Sequence, residues 1–330
     1  MEKYYITTPI YYVNDKPHIG HAYTTILADT ISRFRALVGE KPTFLTGLDE
    51  HGLKVQQAAE KNGKAPQDHC DSMAPAFIDL WEKLNINYSD FIRTTEHRHT
   101  KIVQKILTKV HESGDIYMDE YEGWYSISEE RFITEKELDS GQFGQVKQIK
   151  EKNYFFRMSK YQATLIDKIE KDELLIQPKS RKNEVLGFLK NELSDLCISR
   201  PKSRLEWGIE LPFDDNYVTY VWFDALINYI SAIGAYSNDE HFSSLWPADV
   251  HLIGKDILTT HSVYWPTMLL SLGLPLPERI FAHGWWLTDD QKMSKSLGNV
   301  VSPLMLIDDF GVDSVRYYLC LLYTSPSQRD

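Results

Sequence analysis

The sequence predicts an α/β chain: a doubly wound, Rossmann-like parallel sheet split by a small α+β inserted domain. Three observations carry this. Apolar strand-like runs alternate with helical runs over residues 1–114, short aromatic and turn-rich segments follow from about 115, and the alternation resumes from about 206. Such alternation marks a parallel sheet covered by helices. With 330 residues the chain also exceeds the usual single core, leaving room for an insertion.

Tyr4 to Ile10 is a β-rich apolar strand, followed by a turn at Asn14-Asp15-Lys16-Pro17. A helix is expected from this turn, with Asp15 as its cap and Pro17 in its first turn. Ile19, Tyr23, Ile26, Leu27, Ile31, Phe34 and Leu37 follow at helical spacing, and Gly39 ends the run. Thr43 to Leu48 is a second strand that runs into Asp49-Glu50-His51-Gly52. Helical patterns then cover 53–61, 68–84 and 96–113. Residues 115–160 read as small antiparallel β structure, with turns at Asp139-Ser140-Gly141 and Phe143-Gly144, and helices follow around 161–171 and 182–196. A strand over Tyr217–Phe223 leads into a helix over 224–233. Residues 249–254 form the next strand, followed by a helix over 256–272 that Pro266 must kink or interrupt. Residues 279–282 are the last clear strand, and two short helices, 303–310 and 312–322, are split by Gly311. The expected division is 1–114 and 206–290 as two halves of the sheet domain, with 115–205 inserted between them. Residues 291–320 form a polar loop and the start of a helical segment, and 321–330 are a tail of different character.

The hydrophobic share of 42% and charged share of 25% are ordinary for a globular protein. A net charge of −11 gives no general basic footprint for nucleic acid, so a bound polyanion must use a local patch or another part of the protein. No apolar run approaches the roughly 20 residues that cross a bilayer. Met-Glu-Lys-Tyr-Tyr-Ile lacks the basic-then-apolar layout of a secretory signal, so a cytoplasmic address is expected. Cys70, Cys197 and Cys320 are isolated, which argues against a disulfide framework and against a Cys-x-x-Cys zinc site.

Two strings carry chemistry. His18-Ile19-Gly20-His21 lies where a strand turns into a helix, and Lys292-Met293-Ser294-Lys295-Ser296 lies in a polar loop after a later strand. A helix N-terminus is an anion site, because its open N–H groups and its dipole both face the ligand. His18 and His21, three apart, share one face of the first turn. Gly20 removes a Cβ that would keep a base or phosphate off the backbone. Lys292 and Lys295 can neutralise charge on a departing pyrophosphate. Each histidine alone is more often packed or solvated; the pair together with the distant lysine loop reverses that balance.

These strings resemble the signature pair of the class I aminoacyl-tRNA synthetases, and neighbouring residues narrow the similarity to the methionyl-tRNA synthetases. The narrowing rests on Thr7-Thr8-Pro9-Ile10-Tyr11-Tyr12, Gly47-Leu48-Asp49-Glu50-His51-Gly52, Tyr220-Val221-Trp222-Phe223-Asp224-Ala225 and Gly254-Lys255-Asp256. His261, Trp265-Pro266 and Phe281-Ala282-His283-Gly284 add to it, and the similarity covers roughly residues 3–320.

The resemblance implies activation of methionine by ATP with Mg2+, then transfer to the acceptor end of tRNA(Met). It implies Asp49 as the partner of the α-amino group, and Pro9, Ile10, Tyr12, Trp222, Ala225, Leu226, Tyr229 and His261 as the side-chain pocket. It implies ATP contacts from His18, Gly20, His21, Asp256, His283, Lys292, Lys295 and Ser296, with His18, His21, Lys292 and Lys295 acting on the reaction. Trp265 is expected to pack behind the pocket. Relatives that bind zinc use cysteine pairs in the insertion, where this chain has only Cys197, so no zinc is expected. The family continues into an α-helical anticodon-binding domain; this sequence is therefore expected to be truncated, with adenylate formation kept and tRNA charging weakened. Other class I synthetases fit less well. Those for valine, leucine and isoleucine carry large editing insertions, because one methylene discriminates by only about 1–3 kcal/mol, and the cysteine enzyme needs a zinc site. A nucleotidyltransferase would not need the Trp222–Tyr229 block. A non-enzymatic nucleotide-binding fragment is the rival of a different class.

Overall fold

The computed structural model describes residues 2–126, 131–133, 138, 146–284, 287–288, 291–292 and 301–322. The first part of the chain lays down β1 (Lys3–Tyr12), β2 (Lys41–Asp49) and β3 (Asp90–Arg93). Between and after them run helices α1 (Ile19–Leu37), α2 (Leu53–Lys61), α3 (Pro66–Lys83) and α4 (His97–Glu112). Strands β4 (Ile116–Ser126), β5 (Arg131–Ile133) and β6 (Val146–Phe156) follow. Then come β7 (Leu175–Gln177), β8 (Leu196–Cys197), β9 (Ser199–Pro201), β10 (Glu210–Leu211) and β11 (Asp214–Thr219). The second half returns with β12 (Val250–Gly254) and β13 (Arg279–His283).

The central sheet has six strands in the order β3-β2-β1-β12-β13-β7, and every neighbouring pair is parallel. Strands buried on both faces read as continuous apolar runs rather than alternating ones; in β1 six consecutive residues, Tyr4 to Pro9, are buried. The two faces separate by pleat: Tyr4 and Ile6 join a core with Tyr23, Phe44, Phe77 and Trp81, whereas Tyr5 joins the opposite core with Leu45, Ile106, Phe223 and Trp265. The insertion holds the antiparallel sheet β5-β4-β6-β8, but its β7 leaves that sheet and pairs with β13 at the edge of the central one. The boundary expected at 115–205 is therefore crossed by the main sheet. A three-residue parallel edge strand carries too little periodicity to be read from sequence.

Two helix expectations are corrected. Helix α1 begins at Ile19 and its cap is His18, not Asp15; the Asp15 carboxylate instead accepts from the Lys16 N–H at 2.6 Å. Helix 256–272 is three pieces: a 3-10 turn at Lys255–Ile257, a π-turn at Thr260–Tyr264 and a regular helix over Trp265–Leu272. Pro266 has no N–H to give and its ring crowds the carbonyl four residues back, so the widened turn absorbs the mismatch. The helices Pro303–Phe310 and Val312–Leu322 form as expected on either side of Gly311, which has φ +76°. Val312–Leu322 packs on α1 through Val315 and Leu319. It is fixed there by a buried charge centre: the Asp29 carboxylate accepts from Arg33 at 2.8 Å, from the Asn87 N–H at 2.8 Å and from Arg316 at 2.5 Å.

Candidate active site

The site begins with a break in the sheet. β1 and β12 pair only at Ile6–Val250 and Thr7–His251, although β1 continues to Tyr12 and β12 to Gly254. Pro9 cannot donate to a ladder, and the β1–β2 register shifts between Thr7 and Ile10. Pairing therefore stops at the carboxyl ends of the two central strands, where successive strands begin to be added on the other side. This switch point is where open α/β sheets hold ligands. Helix α1, the end of β2, the chain after β12 and the end of β13 all bring predicted residues to it.

On the α1 side, His18 is extended and its Nδ1 accepts the Gly20 N–H at 3.1 Å, while His21 Nδ1 accepts the His18 N–H at 3.3 Å. The rings stack with centroids 3.8 Å apart, and His21 also lies against Tyr11 and Phe77. Since each Nδ1 accepts, the ring proton sits on Nε2, which makes that atom a donor. A Cβ on Gly20 would stand 3.0 Å from the His18 ring, so this glycine makes room for the cap itself. His18→Ala is expected to cost about 1 kcal/mol through loss of the cap, read as a lower urea midpoint; His18→Asn should recover most of it. An unchanged midpoint in the alanine variant would contradict the capping role.

His283 closes the other side. Its Nδ1–H donates to the Gly284 carbonyl at 2.9 Å and its Nε2 accepts from the Thr24 hydroxyl of α1 at 2.7 Å. Burial pushes its pKa below the usual range, opposed in part by Asp256. Both ring nitrogens are engaged, and the Thr24 bond ties α1 to the end of β13. Gly254 is in register with His283, and a Cβ there would lie 2.6 Å from Asp256 Oδ1. Only glycine lets the Asp256 carboxylate fold back over the strand end.

The apolar half lies beyond. Asp49 ends β2, is 2% exposed and stands in register with Tyr12. Tyr229 donates its hydroxyl to His261 Nε2 at 2.7 Å, while His261 Nδ1–H donates to the Ile257 carbonyl at 2.9 Å. Burial drives the His261 pKa down to about 4, so the ring is neutral and this tautomer is fixed. Burial raises the Tyr229 phenol, with Tyr11 and Asp49 adding to the rise. Pro9, Ala225 and Leu226 are buried, and Ile10, Tyr12 and Trp222 are half-buried. Trp265 is fully buried behind Tyr229, as expected, with ring centroids 5.8 Å apart.

Sequence reasoning missed several members. His251 lies 4.2 Å from the Tyr229 ring, accepts from Trp265 Nε1 at 3.1 Å and gives its Nδ1–H to Thr7 at 2.7 Å. Arg200 is buried between the rings of Tyr125 and Tyr220 and lines a small cavity with Leu53 and Val221. His51 and Asp224 bond at 2.6 Å; both stood inside the quoted strings, which was the available signal. Of the lysine loop, Lys292 is described by its backbone alone, paired with Leu287. Lys295 and Ser296 lie outside the described residues. Among the described residues no group of three or more His, Cys, Asp and Glu is arranged to hold a metal, and no helix is long and apolar enough to cross a membrane.

The family profile described as tRNA synthetases class I (M) matches residues 4–142 and 140–330. A methionine–tRNA ligase of Clostridium tetani is 53% identical over 322 residues, covering 96% of this chain and 50% of that protein. The ligase of Bacillus subtilis is 49% identical over 335 residues, with the same 96% and 50% shares. The chain thus spans about half the length of the curated relatives it matches. Mycobacterium tuberculosis methionyl-tRNA synthetase in complex with methionyl-adenylate superposes with a TM-score of 0.92 at 44% identity, over 97% of this chain and 64% of that one. The apo form of that enzyme gives 0.78 at 40% identity, over 97% and 61%. On the profile match across nearly its whole length, the chain belongs to the class I tRNA synthetases of group M.

Proposed function

We propose that this chain carries the amino-acid-activating site of a methionine–tRNA ligase, joining methionine to ATP as methionyl-adenylate. The observation that carries the reading is the pairing of two half-sites at one switch point. A stacked histidine pair caps α1 on one side, and a buried carboxylate with an aromatic pocket lies on the other. The likeness to a relative solved with methionyl-adenylate supports it.

In this reading Asp49 takes the methionine ammonium. Tyr12, Trp222, Ala225, Leu226, Tyr229 and His261, with Pro9 and Ile10, take the thioether chain, for which sulfur–aromatic contact is favourable. The neutral Tyr229–His261 pair offers no charge, which suits an uncharged side chain. ATP, entering as its magnesium complex, lies along the α1 N-terminus. There Gly20 permits close approach, and the Nε2–H groups of His18 and His21 add to the helix dipole. Asp256 accepts from the ribose hydroxyls, and Lys292, Lys295 and Ser296 meet the outer phosphates. A methionine carboxylate oxygen attacks the α-phosphorus; that P–O bond forms as the bond to pyrophosphate breaks, and pyrophosphate leaves with the electron pair. The nucleophile is already an anion, so no general base is needed. Catalysis is positioning and charge stabilisation, with orientation worth up to about 7–11 kcal/mol. A terminal ribose hydroxyl of tRNA(Met) then takes the methionyl group and AMP departs. A cytoplasmic site of action belongs to the same reading.

The test is methionine-dependent ATP–pyrophosphate exchange, with the other standard amino acids as controls and Lys295→Ala alongside. Exchange with methionine alone, reduced about a hundredfold or more in the variant, is the expected result. No exchange from a folded sample would leave only a nucleotide-binding fragment.

A further inference from the structure

One buried carboxylate outside the proposed ligand contacts links the chain after β2, the two pocket helices 221–226 and 228–231, and α4. Asp224 is 0% exposed. Its Oδ2 accepts from His51 Nδ1–H at 2.6 Å and its Oδ1 from His99 Nε2–H at 2.6 Å. His99 Nδ1 in turn meets the Ser231 hydroxyl at 2.7 Å. The origins of these residues matter more than the distances. His51 stands two residues beyond Asp49, on the loop leaving β2. Asp224 lies on the helix Val221–Leu226, which also bears Trp222, Ala225 and Leu226. Ser231 ends the helix Asn228–Ser231, which bears Tyr229, and His99 is in the first turn of α4. The far side of the His51 loop is held as well: Trp207 Nε1–H donates to the Glu50 carbonyl, and the Gly52 N–H donates to the Trp207 carbonyl at 3.2 Å.

We infer that Asp224, through His51 and His99, is a positioning residue that sets the spacing between Asp49 and the Trp222–Tyr229 pocket. It thereby fixes the joint recognition of ammonium and side chain. This rests on the proposed methionine-activating function. Both carboxylate oxygens are spent on imidazole N–H groups, so Asp224 takes no part in the reaction itself. The His51 bond ties the β2 loop to the pocket helix, and the His99 bond anchors that helix on α4. Burial works to raise the Asp224 pKa but the two imidazoles outweigh it, so the anion persists. An asparagine here would turn an NH2 group toward one of the two N–H donors and break that bond without changing the side-chain volume.

The experiment measures pyrophosphate exchange for the parent, Asp224→Asn, His51→Leu and His51→Asn, with KM for methionine and for ATP determined separately. Asparagine at 51 keeps a donor close to the Nδ1 position; leucine does not. The expected result is a methionine KM raised about tenfold or more in Asp224→Asn and His51→Leu, an ATP KM changed less than twofold, and most of the methionine KM recovered in His51→Asn. Thermal melts of each variant are run alongside. Unchanged methionine KM values, or a fall in kcat and melting temperature with both KM values intact, would overturn the positioning role. So would equal loss in both His51 variants. A folded but inactive parent would instead bring down the activation reading, and this inference with it.

Discussion

Asp49→Ala is expected to lower kcat/KM for methionine in pyrophosphate exchange by about two to three orders of magnitude. A carboxylate that is 2% exposed gives an ammonium ion a partner screened from water. Removing one member of such a pair strands the other and costs about 3–5 kcal/mol, and each 1.4 kcal/mol is about a factor of ten. Asp49→Asn keeps the volume and one acceptor but loses the charge, so it should fall between the alanine variant and the parent. Neither change should move ATP affinity, because the α1 N-terminus and Asp256 belong to other strand ends. The measurement is methionine and ATP KM with kcat for all three proteins. A methionine kcat/KM within a few fold of the parent in Asp49→Ala would remove Asp49 from the ammonium site.

The second large effect is with pH. His251, His261 and His283 are all buried, and in each burial is the main reason the pKa falls below its usual value near 6.5, to about 4 for His261. The unfolded chain takes up protons at these residues as pH drops through about 6.5, while the folded chain does not. Stability is therefore full above about 6.5 and is lost as pH falls below it; for His261 the loss runs at about 1.4 kcal/mol per pH unit down to about 4. His261 alone accounts for about 3 kcal/mol over this window. Carboxylates with depressed pKa values, such as Asp115 and Asp224, lose their contribution only as pH falls below their usual value of 3.8, so the histidines act first. Urea midpoints should hold nearly level from pH 7.5 to 6.5 and fall at 5.5 and 4.5, and His261→Gln, which does not titrate, should flatten the decline. A midpoint constant from 7.5 to 4.5 would contradict this account.

Helices α2, α3 and α4 were legible because each presents an apolar stripe at helical spacing, which is local information. The cap of α1 was not. Asp15 and His18 can both accept a backbone N–H, and the choice falls to His18 because its ring stacks on His21, itself packed on Phe77. The Asp49, Tyr229 and His261 assignments came from the family strings; without them Tyr229 and His261 would read as core, whereas Asp49 also lies at a strand end where open α/β sheets hold ligands. Pairings such as His99–Asp224 and Thr7–His251 were out of reach, because long-range burial decides them and nothing near either partner in the chain reports it.

The bonds between Thr24 and His283 and between Arg316 and Asp29 fall on one helix, α1, and His283 and Arg316 bracket the segment that contains Lys295. Both ends of that segment are thus moored to the helix whose first turn is the proposed phosphate site. Folding has already met the entropy of bringing those two ends together. Under the proposed function, Lys295 then serves as a tethered partner of the phosphates of bound ATP, at an effective concentration in the millimolar range. Cutting either mooring would dilute that cation without touching its charge.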